Sequence, residues 1–156
     1  MLNIYIDADA CPVKQEVYRV AGRFKLKTTV VSNTFIRVPE KPLINAVIVD
    51  DNPDAADDWI VNNIDQDDIV ITADIPLASR SIKKGARVIS PTGRLFTDDN
   101  IGQIVATRNL MADLRETGEI TGGPPPFSKK DRSNFLQKLD ELIHYIIRKY
   151  PDINVI

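Results

Sequence analysis

Asp7 and Asp9 close the apolar run Leu2–Ile6, Asp50 and Asp51 close the run Ala46–Val49, and Asp74 stands three residues beyond the run Ile69–Ile71. Asp54 and Asp57 open the stretch that follows the second of these runs. If the runs are strands of one parallel sheet, their C-terminal ends lie along a single edge, and carboxylates tens of residues apart in the chain meet there. Acids gathered in one crevice repel one another and resist ionisation unless a cation neutralises them. Hard oxygen donors select magnesium or manganese for that task. The chemistry to expect is therefore that of a divalent metal site.

Each acid has a plainer alternative. Asp9 and Asp54 suit helix N-caps, Asp57 suits the third position of a capping box, and Asp50-Asp51 suits a turn. Asp7 and Asp74 are different, because each ends a buried strand where a carboxylate does nothing for the fold, and each precedes a proline-started helix. A functional role is expected of that pair.

The elements that must position these acids follow from pattern. Leu2–Ile6 is a strand, and Cys11-Pro12 opens a helix carrying Val13, Val17, Val20, Ala21 and Phe24 at helical spacing to about Arg23. Thr28–Val31 is β-branched and predicts a second strand, with a further extended piece at Phe35–Val38 between turn signals. Ala46–Val49 predicts a continuous apolar strand, followed by a helix from Asp54 through Asn63. Ile69–Ile71 leads to a helix from Pro76 to Gly85, and Arg87–Ser90 is the last strand expected. Beyond Asp98 two helices remain, Ile101–Leu114 and Lys129–Tyr150. The second has a capping box at Ser128 and Asp131 and an apolar stripe through Phe135, Leu139, Leu142 and Ile146. Alternating strands and helices predict an α/β fold, a parallel sheet with helices on both faces.

The segments Asp7-Ala8-Asp9-Ala10-Cys11-Pro12, Asp54-Ala55-Ala56-Asp57, Ile71-Thr72-Ala73-Asp74-Ile75-Pro76-Leu77-Ala78 and Gly122-Gly123-Pro124 together resemble the YaiI/YqxD family of uncharacterised bacterial proteins. That family is grouped with the PIN-like nucleases, which carry an Asp after the first strand, an acid in a middle helix and a Thr-x-Asp after a later strand. Asp7, Asp57 and Thr72-x-Asp74 match those places. The resemblance implies a PIN-like three-layer fold and one domain over 1–156. Residues 1–97 would form its α/β core, and 98–156 a helical part with a Gly/Pro-rich connector at 118–128. It also implies phosphodiester hydrolysis of RNA or a small nucleotide with Mg2+ or Mn2+. Asp7, Asp9, Asp57 and Asp74 would be the catalytic acids, and the same four with Asp54 the metal-binding set. Thr72 would hold a neighbouring carboxylate through its hydroxyl, on the substrate side of the site. In one respect the chain departs from the pattern: Ser90-Pro91-Thr92 stands where PIN nucleases often carry a further Asp.

Two other classes remain open. A nucleic-acid or nucleotide binding module would keep the acidic edge without chemistry. A haloacid-dehalogenase-like phosphatase would use Asp7-x-Asp9, although the downstream lysine and acidic pair of that chemistry fit poorly here. Asn33 and Arg37 after the second strand, and Lys129 and Arg132 at the start of the last helix, are the side chains expected to contact a phosphate backbone.

Composition narrows the field. With 156 residues, 43% of them apolar, the chain supports one core and is too short for two typical domains. A net charge of −2 lacks the field of a strongly basic nucleic-acid binder, so phosphate recognition must be local. No apolar run approaches the roughly 20 residues of a membrane span. The N-terminus lacks the basic and long apolar regions of a secretory signal, so a cytoplasmic protein is expected. The single cysteine, Cys11, fits a reducing compartment and is expected to be a small packing residue. His144, on the last helix, is too remote in sequence to be its partner.

Overall fold

Successive residues of a strand point to opposite faces of the sheet, and in the strand Asn3–Asp7 (β1) both faces are buried: Ile4 and Ile6 join one apolar cluster and Tyr5 another. The same division repeats along the central strands, with Ile69, Ile71 and Ile89 on one side and Val70 and Val88 on the other. A sheet apolar on both faces must be covered twice, which is the origin of the three layers.

The computed structural model describes residues 2–119 and 125–150. After β1 come α1 (Lys14–Phe24), β2 (Lys27–Ser32), β3 (Ile44–Ile48), α2 (Ala55–Asn63), β4 (Ile69–Ile71), α3 (Ile75–Lys83), β5 (Arg87–Ile89), β6 (Leu95–Phe96), α4 (Asp98–Glu116) and α5 (Lys129–Lys149). The strands lie in the order β3-β2-β1-β4-β5-β6, all parallel except β6, which runs antiparallel to β5. Helices α1 and α5 cover the Ile4 face; α2, α3 and α4 cover the Tyr5 face. The α/β class and three layers expected from the sequence are those observed.

Several boundaries differ from the sequence expectation. The run Ala46–Val49 is not a buried strand. Ala46, Val47 and Ile48 belong to the edge strand β3, where Asn45, Ala46 and Ile48 are exposed because only β2 flanks it, and Val49 lies beyond its end. Phe35–Val38 forms no strand. Pro12 precedes α1 rather than opening it, since the helix begins at Lys14. Helix α4 starts three residues early, at Asp98, because Thr97 and Asn100 form a reciprocal capping box. The hairpin partner β6 was not expected, as two residues show no periodicity. Its turn depends on Gly93, whose φ of +91° suits glycine and whose missing Cβ would lie 2.6 Å from the Asn134 side-chain nitrogen. The capping box at Ser128 and Asp131 is present, and Phe135, Leu139, Leu142, Ile143 and Ile146 are the buried face of α5. The motif Gly122-Gly123-Pro124 and the centre of the 118–128 connector lie outside the described residues.

Candidate functional site

From β1 the chain moves to β2 and β3 on one side, then returns to β4 and β5 on the other. The connections after β1 and β4 therefore diverge over opposite faces of the sheet, leaving a crevice beyond the C-terminal ends of these two neighbouring strands. Asp7 is the last residue of β1 and is 8% exposed. Thr72, the residue after β4, is buried beside it. Its Oγ1 donates to Asp7 Oδ2 at 2.8 Å and accepts the Asp74 backbone N–H at 2.9 Å. One hydroxyl thus ties the two strand ends together and holds the Asp7 carboxylate.

Asp74 also acts as the N-cap of α3, its Oδ1 accepting the Leu77 N–H at 3.0 Å, with Pro76 in the first turn. The sequence expectation gave Asp74 no part in the fold and offered caps as the plainer alternative for Asp9 and Asp54; of the three, Asp74 is the one whose side chain caps a helix. Asp9 is exposed and α1 begins after Val13, without a side-chain cap. Asp54 occupies the N-cap position of α2, but its side chain makes no capping bond. Asp57, in the first turn of α2, faces the crevice acids electrostatically. Its carboxyl is pushed up to about 6, chiefly by burial, then by the charges of Asp74 and Asp7, with Asp54 adding and Arg80 opposing. Burial also pushes Asp7 up, and the Asp74 and Asp9 charges add to it against hydrogen bonds from Thr72 and the Asp9 backbone. The Asp74 charge thus acts on both Asp7 and Asp57, with Asp9 adding at Asp7 and Asp54 at Asp57. Asp50 and Asp51, expected at the same edge, are exposed and are not among the main charges acting on Asp7 or Asp57. Arg80 is engaged with Asp58 at 2.9 Å. Among the described residues, no three His, Cys, Asp or Glu side chains are grouped closely enough to cage an ion by themselves.

A cleft of about 340 Å³ opens beside Asp7 and Asp9, bounded by residues 7–10 and 31–36. Asn33 lines it, but its Nδ2 is occupied in donating to the carbonyls of Asp50 (2.8 Å) and Asn52 (3.2 Å), which pins the β3–α2 loop. Arg37 is exposed and does not line this cleft, and Lys129 is exposed at the start of α5. Arg132 is held by an internal pair: Nη1 lies 2.5 Å from Glu16 Oε2 and donates to the Pro12 carbonyl at 3.3 Å, while the guanidinium covers the Phe127 ring. Glu16 is the functional-looking acid that sequence reasoning missed. It is 7% exposed, and its Oε1 is buried without a hydrogen-bond partner among the described residues. The signal was its place on the apolar face of α1, three residues after Val13 and four before Val20. Cys11 is buried in the α1 and α5 core, its thiol pushed up by burial, as a packing residue would be. His144 lies 3.5 Å from Asp140 and packs edge-on against Phe24.

The fold is that of a three-layer α/β protein, with Asp7 and Thr72 joined by a hydrogen bond at its topological switch point. A family model described as "Uncharacterized BCR, YaiI/YqxD family" matches residues 5–145, and the chain belongs to that family. It is similar to a UPF0178 protein of Rhodopseudomonas palustris strain TIE-1, 58% identical over 149 residues that cover 96% of this chain and 94% of the relative. A UPF0178 protein of Paramagnetospirillum magneticum is 53% identical over 151 residues, covering 97% of this chain and all of the relative (100%). No solved structure matches significantly. Among the described residues no helix is long and apolar enough to cross a membrane.

Proposed function

We propose that this protein is a cytoplasmic phosphodiesterase of the PIN-like type, acting on RNA or a small nucleotide with Mg2+ or Mn2+ bound at Asp7 and Asp74. Asp57 stands close by, and Asp9 and Asp54 lie at the rim. The observation that carries the reading is that Thr72 Oγ1 joins the ends of β1 and β4, donating to buried Asp7 and accepting the Asp74 N–H, while Asp57 is raised to about 6 by burial first and then by repulsion from the Asp74 and Asp7 charges. A cation relieves that repulsion. Magnesium needs no closed cage, since it keeps several waters and takes one or two carboxylates plus substrate phosphate, which suits a site without three grouped ligands. When bound, the ion supplies charge neutralisation and polarises the phosphate.

The chain's own residues do the rest. Thr72 holds the Asp7 carboxylate in one orientation through the 2.8 Å bond. We assign to Asp57 the orientation of the attacking water and acceptance of its proton. Lys129 and Arg37 are exposed cations available to more distant phosphates. Arg132 acts indirectly, by holding the Pro12 carbonyl and so the loop that carries Asp9.

The test is manganese- and magnesium-dependent cleavage of a labelled single-stranded RNA by the wild-type chain and its Asp7→Asn and Asp74→Asn variants. Undiminished turnover in both variants overturns the proposal. A second reading, a binding module without chemistry, is favoured by one observation. Where PIN nucleases often carry a further acid, Ser90 is used internally: its hydroxyl lies 2.9 Å from Thr92 Oγ1 and accepts the Arg94 N–H. Oligonucleotide binding with no product after long incubation selects that reading.

A further inference from the structure

Phe35 is 83% exposed, more than any other large apolar side chain of the described residues; the next, Leu110, is 57% exposed. Scattered exposed apolar residues need no explanation. Phe35 differs in its location, since it lines the same cleft as Asp7 and Asp9. Among the described residues no other ring and no cation packs on it.

The backbone that carries Phe35 is anchored on both sides. The Val31 carbonyl accepts the Ala8 N–H at 3.0 Å, which joins the loop to the acid-bearing turn. The Thr34 N–H is bonded to Ser32 Oγ, and Asn33 is clamped to the Asp50 and Asn52 carbonyls. On the other side Ile36 and Val38 pack against the α1 and α5 core. A phenyl ring has only two side-chain torsions, so a ring on an anchored loop offers its face at little conformational cost.

We propose that Phe35 is a stacking platform for one base of an unpaired nucleotide whose phosphate lies at the Asp7 edge. This inference rests on the phosphodiester reading of that edge. A ligand for this cleft must offer a phosphate toward the acids and their cation, and a flat π face toward an isolated ring; a nucleotide has both. Stacking does not distinguish the four bases, so the site is tolerant of sequence. A base within a duplex is already stacked on both faces, and reaching Phe35 would require unstacking it. The cleft therefore selects single strands or free nucleotides over duplexes.

The experiment uses the full chain in magnesium with a short phosphorothioate-linked oligonucleotide, which resists hydrolysis, carrying 2-aminopurine. It is offered alone and annealed to its complement, and binding is followed by anisotropy and by quenching of the 2-aminopurine fluorescence. The wild-type chain is expected to bind the unpaired form more tightly and quench it. Phe35→Ala and Phe35→Leu are expected to weaken binding by roughly 5- to 150-fold and to abolish quenching, whereas Phe35→Trp retains both. Leucine keeps apolar area without a π face, so Phe35→Leu binding as tightly as wild type overturns the inference, as does equal binding by Phe35→Ala. Self-association lost in Phe35→Ala with unchanged oligonucleotide binding overturns it in favour of a second copy of the chain. If the wild-type chain binds neither form, the nucleotide reading of the whole site fails. If it binds but the substitutions are silent, only the role of Phe35 fails.

Discussion

Asp7 and Asp67 are both buried aspartates, 8% and 4% exposed, at opposite ends of the same parallel sheet. Their surroundings differ completely. Asp67, just before β4, is surrounded by donors: Arg87 Nε at 2.8 Å, Lys149 Nζ at 3.0 Å and the Tyr150 hydroxyl. Burial raises its carboxyl, but these hydrogen bonds and the Arg87 charge outweigh it and leave it below its ordinary range. Asp7, at the end of β1, has Thr72 and one backbone N–H against burial and the charges of Asp74 and Asp9, and it ends above that range. The buried carboxylate at one end is fully matched by the fold, tying the end of α5 to the sheet. At the other end the fold leaves negative charge unmatched. Folds tolerate such a mismatch where function requires it.

That contrast can be broken by substitution. The largest effect expected is on turnover: Asp7→Asn and Asp74→Asn should each lower metal-dependent cleavage by more than about 100-fold, the usual ceiling for residues acting only through a ligand. Neither should lower the melting temperature markedly, because Asn preserves the α3 cap and removes repulsion. Asp67→Asn should do the reverse, costing about 2–3 kcal/mol in urea unfolding, discounted because Arg87 and Lys149 are each about a third exposed. A silent Asp67→Asn would mean that the two ends do not differ as described. Thr72→Val keeps the volume but removes the bond between the strand ends and the local bond from the Asp74 N–H, for about 1–2 kcal/mol of stability. It should also lower turnover by roughly 10- to 100-fold.

The smallest effect expected is on stability against pH. Asp7 and Asp57 bind protons more tightly in the folded state, so their contribution is full below the ordinary carboxyl range and is lost as pH rises through their raised values, about 6 for Asp57. Asp67 has the opposite sign, its contribution being lost as pH falls through its lowered value. Thermal melts of Asp57→Asn between pH 4 and 8 should therefore show a shallower fall toward neutral pH than wild type. Magnesium should raise the wild-type midpoint more at pH 7.5 than at pH 5. An equal rise at both would remove the acidic edge from the explanation.

Much of this was legible in the chain. The runs at Ile4 and Ile69, the stop signals after them and the Ser128 to Asp131 capping box are local patterns, and local patterns survive folding. Strand polarity puts Asp7 and Asp74 beyond the same edge once the sheet is taken as parallel, but it put Asp50 and Asp51 there equally, and they stand apart. The readings that failed depend on neighbours. Ala46–Val49 looks like a core strand because an apolar run carries no mark of being at a sheet edge. Asp54 suits a cap and Asp74 does not stand out as one, yet only Asp74 bonds the backbone, because that depends on side-chain orientation. That Arg132 is paired with Glu16 likewise depends on α5 being laid on α1.

The order of residue types along the chain was enough to determine an α/β sheet, its two apolar faces and an acidic C-terminal edge, since each follows from periodicity and chain direction. Which acids couple, which cations remain exposed and which aromatic ring faces the cleft were decided only in three dimensions. Coulomb energies, burial and hydrogen bonds depend on distances between segments that sequence spacing does not encode.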